Sequence, residues 1–272
     1  MNYTKDFAEI NQIEALDKKL LRSKKEFKKG DILCSFSNSE IGSNITYLTV
    51  QIFENEHISL KPEFLQYINH SCNPNSFFDV DSMNLIALKD LREGDELTFF
   101  YPSTEWKMVQ PFDCFCGEEN CLGRIEGASE IEIATLKKYK ISSYISNKSG
   151  FCPCGSLLLF NECCQPKIEG KVKAKTAEEL MRSRFTAYST AAIDYLINTT
   201  HNSIRKQQSF KEVEQWSNEN RWQKLEILES TENTVEFKAY FLDSDRIQQT
   251  HYEKSTFIFE NDSWFYSSGE FE

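Results

Sequence analysis

Short apolar runs separated by turn residues characterise the N-terminal part of the chain. The runs are rich in β-branched and aromatic residues and occupy residues 31–36, 47–53, 85–88 and 96–101. Arg92-Glu93-Gly94-Asp95 supplies the turn before the last of them. Runs of about four to eight such residues, bounded by turn formers, are typical of strands. The pattern therefore predicts a β-rich domain in this part of the chain.

The pattern becomes helical and then alternating in the C-terminal part. Thr176 and Ser209 each precede a glutamate by three residues, which is the capping box that opens a helix. Phe210, Val213 and Trp216 follow the second box at helical spacing. Later, apolar and polar residues alternate as in a strand with one buried face, with Val235, Phe237, Ala239 and Phe241 at the apolar positions. Residues 251–257 and 264–266 are predicted as two further strands, so this part should be an α+β domain.

A helix and a linker are predicted between these two parts. Ser129-x-x-Glu132 matches the capping box, and Ile133, Leu136, Tyr139 and Ile141 follow at roughly helical spacing. Residues 146–150 then form a short polar stretch, Ser-Asn-Lys-Ser-Gly. We expect the linker there, with a surface loop inside one domain as the alternative.

Length and composition indicate a globular protein of two domains. The chain has 272 residues, of which 40% are hydrophobic and 13% aromatic, enough for two cores. Its N-terminus has no signal-peptide pattern, and no apolar run approaches about 18 residues. We therefore expect a cytoplasmic protein that does not cross a membrane. The sequence does not indicate its oligomeric state.

The charge balance bears on the class of partner. The formal net charge is −11, whereas a protein that binds duplex DNA usually presents a basic face. Direct binding to duplex DNA is therefore not expected. A basic peptide is the better-matched partner for an acidic protein.

The nine cysteines indicate metal binding, because disulfides are rare in the cytosol. Cys114, Cys116 and Cys121 are one ligand short of a tetrahedral zinc site, which takes four nitrogen or sulfur ligands. The nearest upstream cysteine is Cys72, in the segment Asn-His-Ser-Cys-Asn-Pro-Asn of residues 69–75. A shared zinc would tie these two segments together. Cys34 has no local cysteine partner and is expected to be a small buried residue on a strand.

Three motifs in this order resemble a SET domain followed by its post-SET zinc segment. They are the segment 69–75, the run 96–101 and the cysteines of residues 114–121. The resemblance covers roughly residues 20–127. It implies the β-rich SET fold with a pseudoknot-like segment around residues 69–72, and the activity of a protein lysine methyltransferase. It also implies S-adenosylmethionine as cofactor and a protein substrate with an acceptor lysine.

The same resemblance implies a role for individual residues. Asn69 and His70 match the cofactor-binding pair, and Leu122 stands where the family packs a side chain against the adenine. Tyr101 matches the catalytic tyrosine. Phe99 matches the position that tunes how many methyl groups are added, and a phenylalanine there implies di- or trimethylation. The zinc ligands of the family are matched by Cys72, Cys114, Cys116 and Cys121.

The chemistry explains why so few polar residues are required. Methyl transfer from a sulfonium to an amine depends mainly on alignment, which is a proximity effect. The substrate lysine must arrive neutral, and a dry aromatic channel disfavours the ammonium form. Tyr101, Phe99, Phe100 and Tyr47 are the aromatic residues expected to form such a channel.

Two departures from the family pattern affect this interpretation. The Gly-x-Gly that approaches the methionine part of the cofactor is replaced by Lys18-Lys19-Leu20. Phe100 stands where the family usually has an aspartate before its catalytic tyrosine. A cofactor tail held in another way and an altered substrate channel are therefore expected.

A second set of four cysteines opens the C-terminal half. Cys152, Cys154, Cys163 and Cys164 follow the spacing C-x-C-x8-C-C, which suits a closed structural zinc knuckle. This segment resembles the SEC-C motif. The residues after it, 176–188 and 193–196, resemble the bacterial YchJ-like family. That resemblance implies an α+β cone like that of nuclear transport factor 2 over about residues 151–269.

Polar residues of this half leave alternatives open. His251 and Glu253 lie two apart on a predicted strand and hence on one face. We expect a hydrogen-bonded pair at the sheet edge, with a place on a pocket wall as the alternative. Arg182 and Arg184 are expected to be solvated, although they could contact an anionic partner.

Taken together, the patterns predict four segments: a SET plus post-SET domain (1–127), a helix and linker (128–150), a SEC-C zinc knuckle (151–166) and a YchJ-like cone domain (167–272). The leading function is a lysine methyltransferase whose C-terminal domain docks or selects the substrate. A SET-like module that binds cofactor or peptide without turnover, and a zinc-knuckle adaptor protein, are the alternatives.

Overall fold

The computed structural model describes residues 6–13, 18–42 and 45–271. The chain forms two compact units, one ending at Ile145 and the other beginning at Ser146. Within the described ranges, no helix combines the length and apolar character needed to cross a membrane.

The first unit is built mainly from short strands. In chain order they are β1 (Ala8–Ile13), β2 (Lys18–Ser23), β3 (Ile32–Ser35), β4 (Ser37–Gly42), β5 (Thr49–Phe53), β6 (Glu56–Lys61), β7 (Asn69–His70), β8 (Ser76–Asp79), β9 (Asn84–Ala87), β10 (Thr98–Phe99), β11 (Phe112–Asp113) and β12 (Arg124–Ile125). Helices α1 (Ile133–Leu136) and α2 (Ser143–Lys148) follow, and 3-10 turns occupy Glu63–Tyr67, Tyr101–Ser103 and Ala128–Glu130. The predicted β-rich character of this half is confirmed.

Small sheets surround the core of this unit. The three-stranded sheets have the orders β3-β9-β8 and β4-β6-β5, and β1 pairs with β2 and β11 with β12. Fully buried side chains from several of these sheets meet in one cluster, which includes Leu21, Ile58, Phe78, Leu85 and Leu97. Because each strand is too short to be stable alone, this shared core holds the sheets together.

The strand pair β7 and β10 differs from the other pairs because it is parallel. Asn69 lies opposite Thr98 and His70 opposite Phe99. The run 96–101, predicted as a strand, is extended only at Thr98–Phe99 and enters a 3-10 turn at Tyr101. The pairing therefore places the Asn-His dipeptide beside the aromatic run.

The helix predicted after residue 128 is partly wrong, whereas the boundary between the two units falls at Ser146, where the predicted linker begins. Ser129 is not a helix cap, since it lies inside a 3-10 turn and its hydroxyl donates to Glu130. Residues 146–148 belong to α2 rather than to a flexible stretch. The Ser142 hydroxyl caps α2 locally by accepting from the Ile145 backbone N–H at 3.3 Å, but no glutamate or glutamine completes a capping box there. The Asp81 carboxylate, 62 residues away, adds hydrogen bonds from the backbone N–H and the hydroxyl of Ser143 (2.9 and 2.6 Å).

The second unit combines helices with one antiparallel sheet. Its helices are α3 (Gln165–Ile168), α4 (Ala177–Ser189), α5 (Ile193–Asn198), α6 (Asn202–Arg205) and α7 (Phe210–Glu219), and a 3-10 turn spans Phe160–Glu162. Its strands are β13 (Arg221–Ser230), β14 (Thr234–Leu242), β15 (Gln248–Glu260) and β16 (Ser263–Phe271), in the spatial order β13-β14-β15-β16. The α+β character predicted for this half is confirmed.

Local patterns predicted this unit well. The Thr176 and Ser209 side chains accept hydrogen bonds from the backbone N–H groups of Glu179 and Glu212, so both caps are confirmed. The alternating residues of β14 turn their apolar side chains to the core, as predicted. On α7 only Val213 of the three predicted apolar residues is buried; Phe210 and Trp216 are exposed.

His251 and Glu253 form the predicted hydrogen-bonded pair, with 3.0 Å between His251 Nε2 and Glu253 Oε2, and both belong to the wall of a cavity. Glu253 is not at the sheet edge, since it lies opposite Phe237 of β14 and Phe271 of β16. The register with β16 begins at Glu253 and does not include His251. The expectation of solvated arginines is also wrong for Arg184, which is 4% exposed. Its guanidinium donates to the Leu196 carbonyl and the Thr199 hydroxyl, both at 2.8 Å.

Candidate active site and cysteine clusters

Asn69 and His70 are held by hydrogen bonds from both sides of β7. The Asn69 side-chain amide donates to Glu96 Oε1 at 3.0 Å and to the Lys19 carbonyl at 3.4 Å. His70 Nδ1 accepts from the Tyr101 backbone N–H at 3.3 Å, so the ring proton of the neutral form lies on Nε2, 3.3 Å from the Cys72 sulfur. Burial lowers the pKa of His70 to about 4. His70 is therefore a neutral donor that links the aromatic run to a cysteine.

Tyr101 and Phe99 lie together at the start of the 3-10 turn. Their ring centroids are 4.6 Å apart, and the Tyr101 ring also packs edge-on against His70 at 5.2 Å. The Tyr101 hydroxyl donates to the Ile68 carbonyl at 3.3 Å. Burial raises the pKa of Tyr101 to about 12, so the hydroxyl keeps its proton near neutral pH. It can act as an oriented dipole rather than as a base.

Two cavities open onto residues of the β7–β10 strand pair and its turn. One has a volume of about 50 Å³ and a largely apolar wall that includes Tyr47, Phe99 and Tyr101. The other has a volume of about 480 Å³ and a polar wall that includes Asn69 and His70. The predicted catalytic residues and the predicted cofactor residues therefore line two separate cavities, and both cavity walls include residues of the β7–β10 strand pair.

Phe100 does not take part in the small cavity, contrary to the expected channel. It is 1% exposed and stacks on Tyr139, with ring centroids 3.8 Å apart and planes inclined by 7°. Because neighbouring residues of an extended segment point in opposite directions, Phe100 points away from Phe99 and Tyr101. Phe100, which stands where the family usually has an aspartate, thus stacks on an aromatic partner and does not narrow the channel.

Tyr139 is a residue of the site that the sequence did not indicate. Its hydroxyl donates to the Cys72 carbonyl at 2.9 Å and accepts from the Asn120 side chain at 3.2 Å. It therefore ties the segment after β12 to the Asn-His-Ser-Cys turn. The sequence pattern places Tyr139 only on the apolar face of a predicted helix, so its contacts with Cys72 and Asn120 become visible only in three dimensions.

Glu105 is a second residue that sequence reasoning missed. It is part of the wall of the small cavity. Its carboxylate accepts from the Gln51 backbone N–H at 2.8 Å and lies 3.2 Å from His57 Nε2. These contacts join the 3-10 turn of Tyr101 to strands β5 and β6.

The first cysteine cluster brings together residues far apart in sequence. The sulfurs of Cys72, Cys114, Cys116 and Cys121 all lie within 4.8 Å of one another, with 3.9 Å between Cys72 and Cys114. Four sulfurs at about 2.3 Å from a central zinc are about 3.8 Å apart in a tetrahedron. The geometry and the all-sulfur donor set therefore fit a structural zinc ion.

Leu122 lies beside this cluster rather than in the polar cavity. Its backbone N–H donates to the Cys72 sulfur at 3.4 Å, and its side chain packs with the cysteines. Among the described residues it is not part of the 480 Å³ cavity wall, to which Cys116 and Glu118 belong. A contact between Leu122 and an adenine stays a prediction.

The second cysteine cluster is equally compact. Cys152, Cys154, Cys163 and Cys164 place their sulfurs within 4.8 Å of one another, and the Cys154–Cys163 and Cys163–Cys164 distances are 3.6 and 3.8 Å. Hydrogen bonds from Cys154 and Cys164 lower the pKa of Cys152 to about 4, which favours the thiolate that binds metal. This cluster also fits a closed structural zinc site.

Cys34 stands outside both clusters. It lies on β3 and packs against the core of the first unit. Burial raises the pKa of its thiol to about 12, so it stays protonated. The environment is that of a small apolar residue.

Strand β2 occupies the place of the family's Gly-x-Gly. The Lys19 carbonyl contacts the Asn69 side chain, and the Lys19 ammonium lies 4.8 Å from the centroid of the Tyr67 ring. Leu20 is buried in the core. The chain thus carries side chains next to Asn69 where the family has glycines.

Two family models match separate parts of the chain. The SET domain matches residues 18–102, and "YchJ, middle NTF2-like domain" matches residues 176–269. The fusion of these two domains, predicted from the motifs, is confirmed.

Individual relatives agree with both matches. The chain is 40% identical over 128 residues to a UPF0225 protein of Geobacter sulfurreducens, covering 44% of this chain and 79% of that one. It therefore belongs to the UPF0225 family, and the same polypeptide carries a SET domain. Methyltransferase flvH of Aspergillus flavus is 46% identical over 104 residues, which is 38% of this chain and 58% of that protein. The solution structure of a SEC-C motif-containing protein from Rhodopseudomonas palustris is 32% identical, with a TM-score of 0.42, over 44% of this chain and 96% of that chain.

Proposed function

We propose that the chain is a cytoplasmic S-adenosylmethionine-dependent protein lysine N-methyltransferase. The observation that carries the proposal is the parallel pairing of β7 with β10, which joins Asn69-His70 to Phe99 and Tyr101. A polar cavity and an aromatic cavity meet this pair, as a cofactor and a lysine side chain would require. The same pairing supports a pseudoknot-like SET segment around residues 69–72.

The polar cavity suits the proposed cofactor in size and charge. Its volume of about 480 Å³ lies within the usual range of ligand pockets, about 300–1,000 Å³. Lys89 and Glu96 belong to its wall and offer charges of both signs to a ligand that carries an ammonium, a carboxylate and a sulfonium. When bound, S-adenosylmethionine supplies the methyl group. Asn69 and His70 would hold it, with Leu122 against the adenine.

The aromatic cavity suits the side chain of a lysine. Its ammonium has an ordinary pKa of about 10.4 and must lose a proton before it can accept a methyl group. The apolar walls around Tyr101 and Phe99 disfavour the charged form. The protonated Tyr101 hydroxyl then orients the amine, and Phe99 leaves room for a di- or trimethylated product.

The cysteine clusters and the second unit complete the proposal. A zinc ion held by Cys72, Cys114, Cys116 and Cys121 would clamp the post-SET segment, and a second zinc would close the SEC-C knuckle. The net charge of −11 favours a basic peptide or protein as substrate. We assign the docking or selection of that substrate to the YchJ-like domain.

A methyl-transfer assay tests the proposal directly. The purified full chain is incubated with a lysate and labelled S-adenosylmethionine, and cofactor binding is measured separately by calorimetry. Label on lysine of a protein, present with wild type and reduced with Tyr101→Phe, is the expected result. Label on a nucleic acid or a small molecule, or label that does not depend on Tyr101, would contradict the assignment.

The side chains next to Asn69 favour one alternative function. If Lys19 and Leu20 prevent productive placement of the cofactor tail, the first unit would bind cofactor or peptide without turnover. Heat released on cofactor binding, together with no labelled lysine at any enzyme concentration, would support that alternative. Absence of both cofactor binding and transfer would instead support a zinc-knuckle adaptor.

A further inference from the structure

A cavity of about 210 Å³ lies inside the second unit and is separate from the methyltransferase site. Helix α4 forms one side of it, and strands β14, β15 and β16 form another. Its wall combines large aromatic residues with a small set of polar ones. A water molecule occupies about 30 Å³ in the liquid, so the cavity volume equals that of several water molecules. This is room for a molecule the size of one substituted aromatic ring.

Glu253 is the acidic group of this cavity and is held in one position. It is 7% exposed, its Oε2 lies 3.0 Å from His251 Nε2, and its Oε1 accepts from the Ser255 hydroxyl at 2.7 Å. Because a carboxylate only accepts, His251 Nε2 is the donor of this hydrogen bond. A Cβ added to Gly269 would stand 2.7 Å from Glu253 Cδ and 2.8 Å from the Tyr266 hydroxyl, so the absence of a side chain at Gly269 makes this arrangement fit.

Arg184 is the basic group of the same cavity. Its Nη1 donates to Leu196 and Thr199, and its guanidinium carbon lies 4.9 Å from the centroid of the Tyr266 ring. Its Nε and Nη2 have no acceptor among the residues that the structure describes, and no ion pair joins Arg184 to Glu253. A buried cation and a buried carboxylate therefore face one cavity without neutralising each other directly.

A third polar atom points to a ligand. Gln208 belongs to the cavity wall, and its Oε1 is buried with no hydrogen-bond partner among the described residues. Buried polar atoms are nearly always hydrogen-bonded, and leaving one unpaired costs about 1–3 kcal/mol. The cavity thus presents unused donors on Arg184 and an unused acceptor on Gln208.

The shape and charge of the cavity define the class of ligand. Trp222, Phe237 and Phe185 offer flat apolar surfaces, which favour an aromatic ring. The charges of Arg184 and Glu253 cancel formally, so a ligand with a net charge would leave one of them uncompensated. Tyr266 contacts Arg184 with its ring and lies beside Glu253 with its hydroxyl, which places both charges around one small region.

We propose that this cavity is a binding site for a small, neutral, planar molecule with an amide-like group. The carbonyl of that group accepts from Arg184, and its N–H donates to Glu253. The aromatic ring of the ligand packs against the apolar wall. Lactam heterocycles and aromatic carboxamides belong to this class.

Three probes of nearly the same shape test the proposal: benzamide, benzoate and benzamidinium. Their binding to the full chain is measured by saturation-transfer NMR and by calorimetry. We expect benzamide to bind about tenfold more tightly than either charged probe. Cyclohexanecarboxamide, which has the same polar group on a non-planar ring, should bind more weakly than benzamide.

Substitution of Glu253 tests the polar contacts. Glu253→Gln keeps the shape but leaves the Arg184 charge uncompensated, so benzamide should weaken by about tenfold and benzoate should become the preferred probe. Glu236→Gln is the matched control. Glu236 lies on β14, on the face of the sheet opposite the cavity, and accepts a hydrogen bond from Tyr252 at 2.7 Å. Circular dichroism verifies that both variants are folded.

Three outcomes would overturn the proposal. A cavity that holds only water gives no saturation transfer from any probe at millimolar concentration. A preference of the wild type for benzoate would mean an anion site, and equal effects of Glu253→Gln and Glu236→Gln would place the bound probe elsewhere. If Glu253→Gln does not fold, Gly269→Ala replaces it, since a methyl group there displaces the Glu253 carboxylate while keeping both charges.

Discussion

At the scale of single residues, the Tyr101 hydroxyl is the polar group that the site offers beside Phe99. We expect Tyr101→Phe to reduce methyl transfer by about two orders of magnitude, or about 3 kcal/mol of transition-state stabilisation. The ring packing against Phe99 and His70 is retained, so cofactor affinity measured by calorimetry should change little. Initial rates at saturating cofactor provide the measurement. Equal rates in variant and wild type would mean that the active site lies elsewhere.

A further prediction, on the number of methyl groups transferred in the proposed reaction, concerns Phe99. Its ring contacts Phe78 and Tyr101 and carries no group that could hold a water molecule or hydrogen-bond the amine. A monomethylated lysine can therefore rotate and present its lone pair again. We expect dimethyl or trimethyl product from the wild type and mainly monomethyl product from Phe99→Tyr, measured by mass spectrometry at long reaction times. Since Phe100 points away, it does not fill the space in question. A wild-type reaction that stops at one methyl group would disprove this.

Individual residues differ in how far the sequence could predict them. Motifs mark Asn69, His70 and Tyr101 as candidates, and the structure brings them together across β7 and β10. Tyr139 and Glu105 were missed because their partners, Cys72 and His57, are distant in sequence. Contacts of this kind depend on tertiary packing, which leaves no local pattern.

At the scale of elements, the same distinction separates correct from incorrect predictions. The caps of α4 and α7 lie within three residues of the groups they bind, so the capping box predicts them. The Ser142 cap of α2 is also local, but Ile145 rather than a glutamate stands three residues later, and Asp81 adds a further hydrogen bond from another part of the chain. The run 96–101 was predicted as one strand, but its paired part is limited to Thr98–Phe99, where β7 lies alongside.

The segment that carries Tyr139 is expected to hold the first cysteine cluster in place. Tyr139→Leu removes both the stack on Phe100 and the hydrogen bond to the Cys72 carbonyl. These contribute about 0.5–1.5 kcal/mol each. Hydrogen–deuterium exchange should therefore become faster in peptides covering residues 112–125. Tyr139→Phe keeps the stack and should give a smaller change. Unchanged exchange in Tyr139→Leu would show that the segment is held without this tyrosine.

At the scale of the whole molecule, the sequence predicts two kinds of core and two cysteine sets, and both are observed. The β-rich half and the α+β half were visible because periodicity is a property of each segment by itself. The 210 Å³ cavity of the second unit was not visible, because Arg184, Glu253 and Gln208 reach its wall from three separate segments of the chain. His251 and Glu253 were recognised as sharing one face, but the place of Glu253 between β14 and β16 follows only from the strand order and register.

Zinc content tests the organisation of the whole chain. Nine cysteines form two clusters of four with Cys34 left over, so protein purified without chelator should contain two zinc ions per chain by elemental analysis. Because a tetrahedral site with three ligands loses much of its binding energy, Cys72→Ser and Cys152→Ser should each reduce the content to about one.

The Cys72→Ser and Cys152→Ser variants should differ in their effect on cofactor binding. Cys72→Ser breaks the clamp next to His70 and should weaken cofactor binding, whereas Cys152→Ser affects only the knuckle and should leave cofactor affinity unchanged. Cys34→Ser is the control and should retain two zinc ions, since its buried thiol has no cysteine partner. A wild-type content of one zinc or none would contradict the assignment of two structural sites. Loss of both ions in either single variant would contradict their independence.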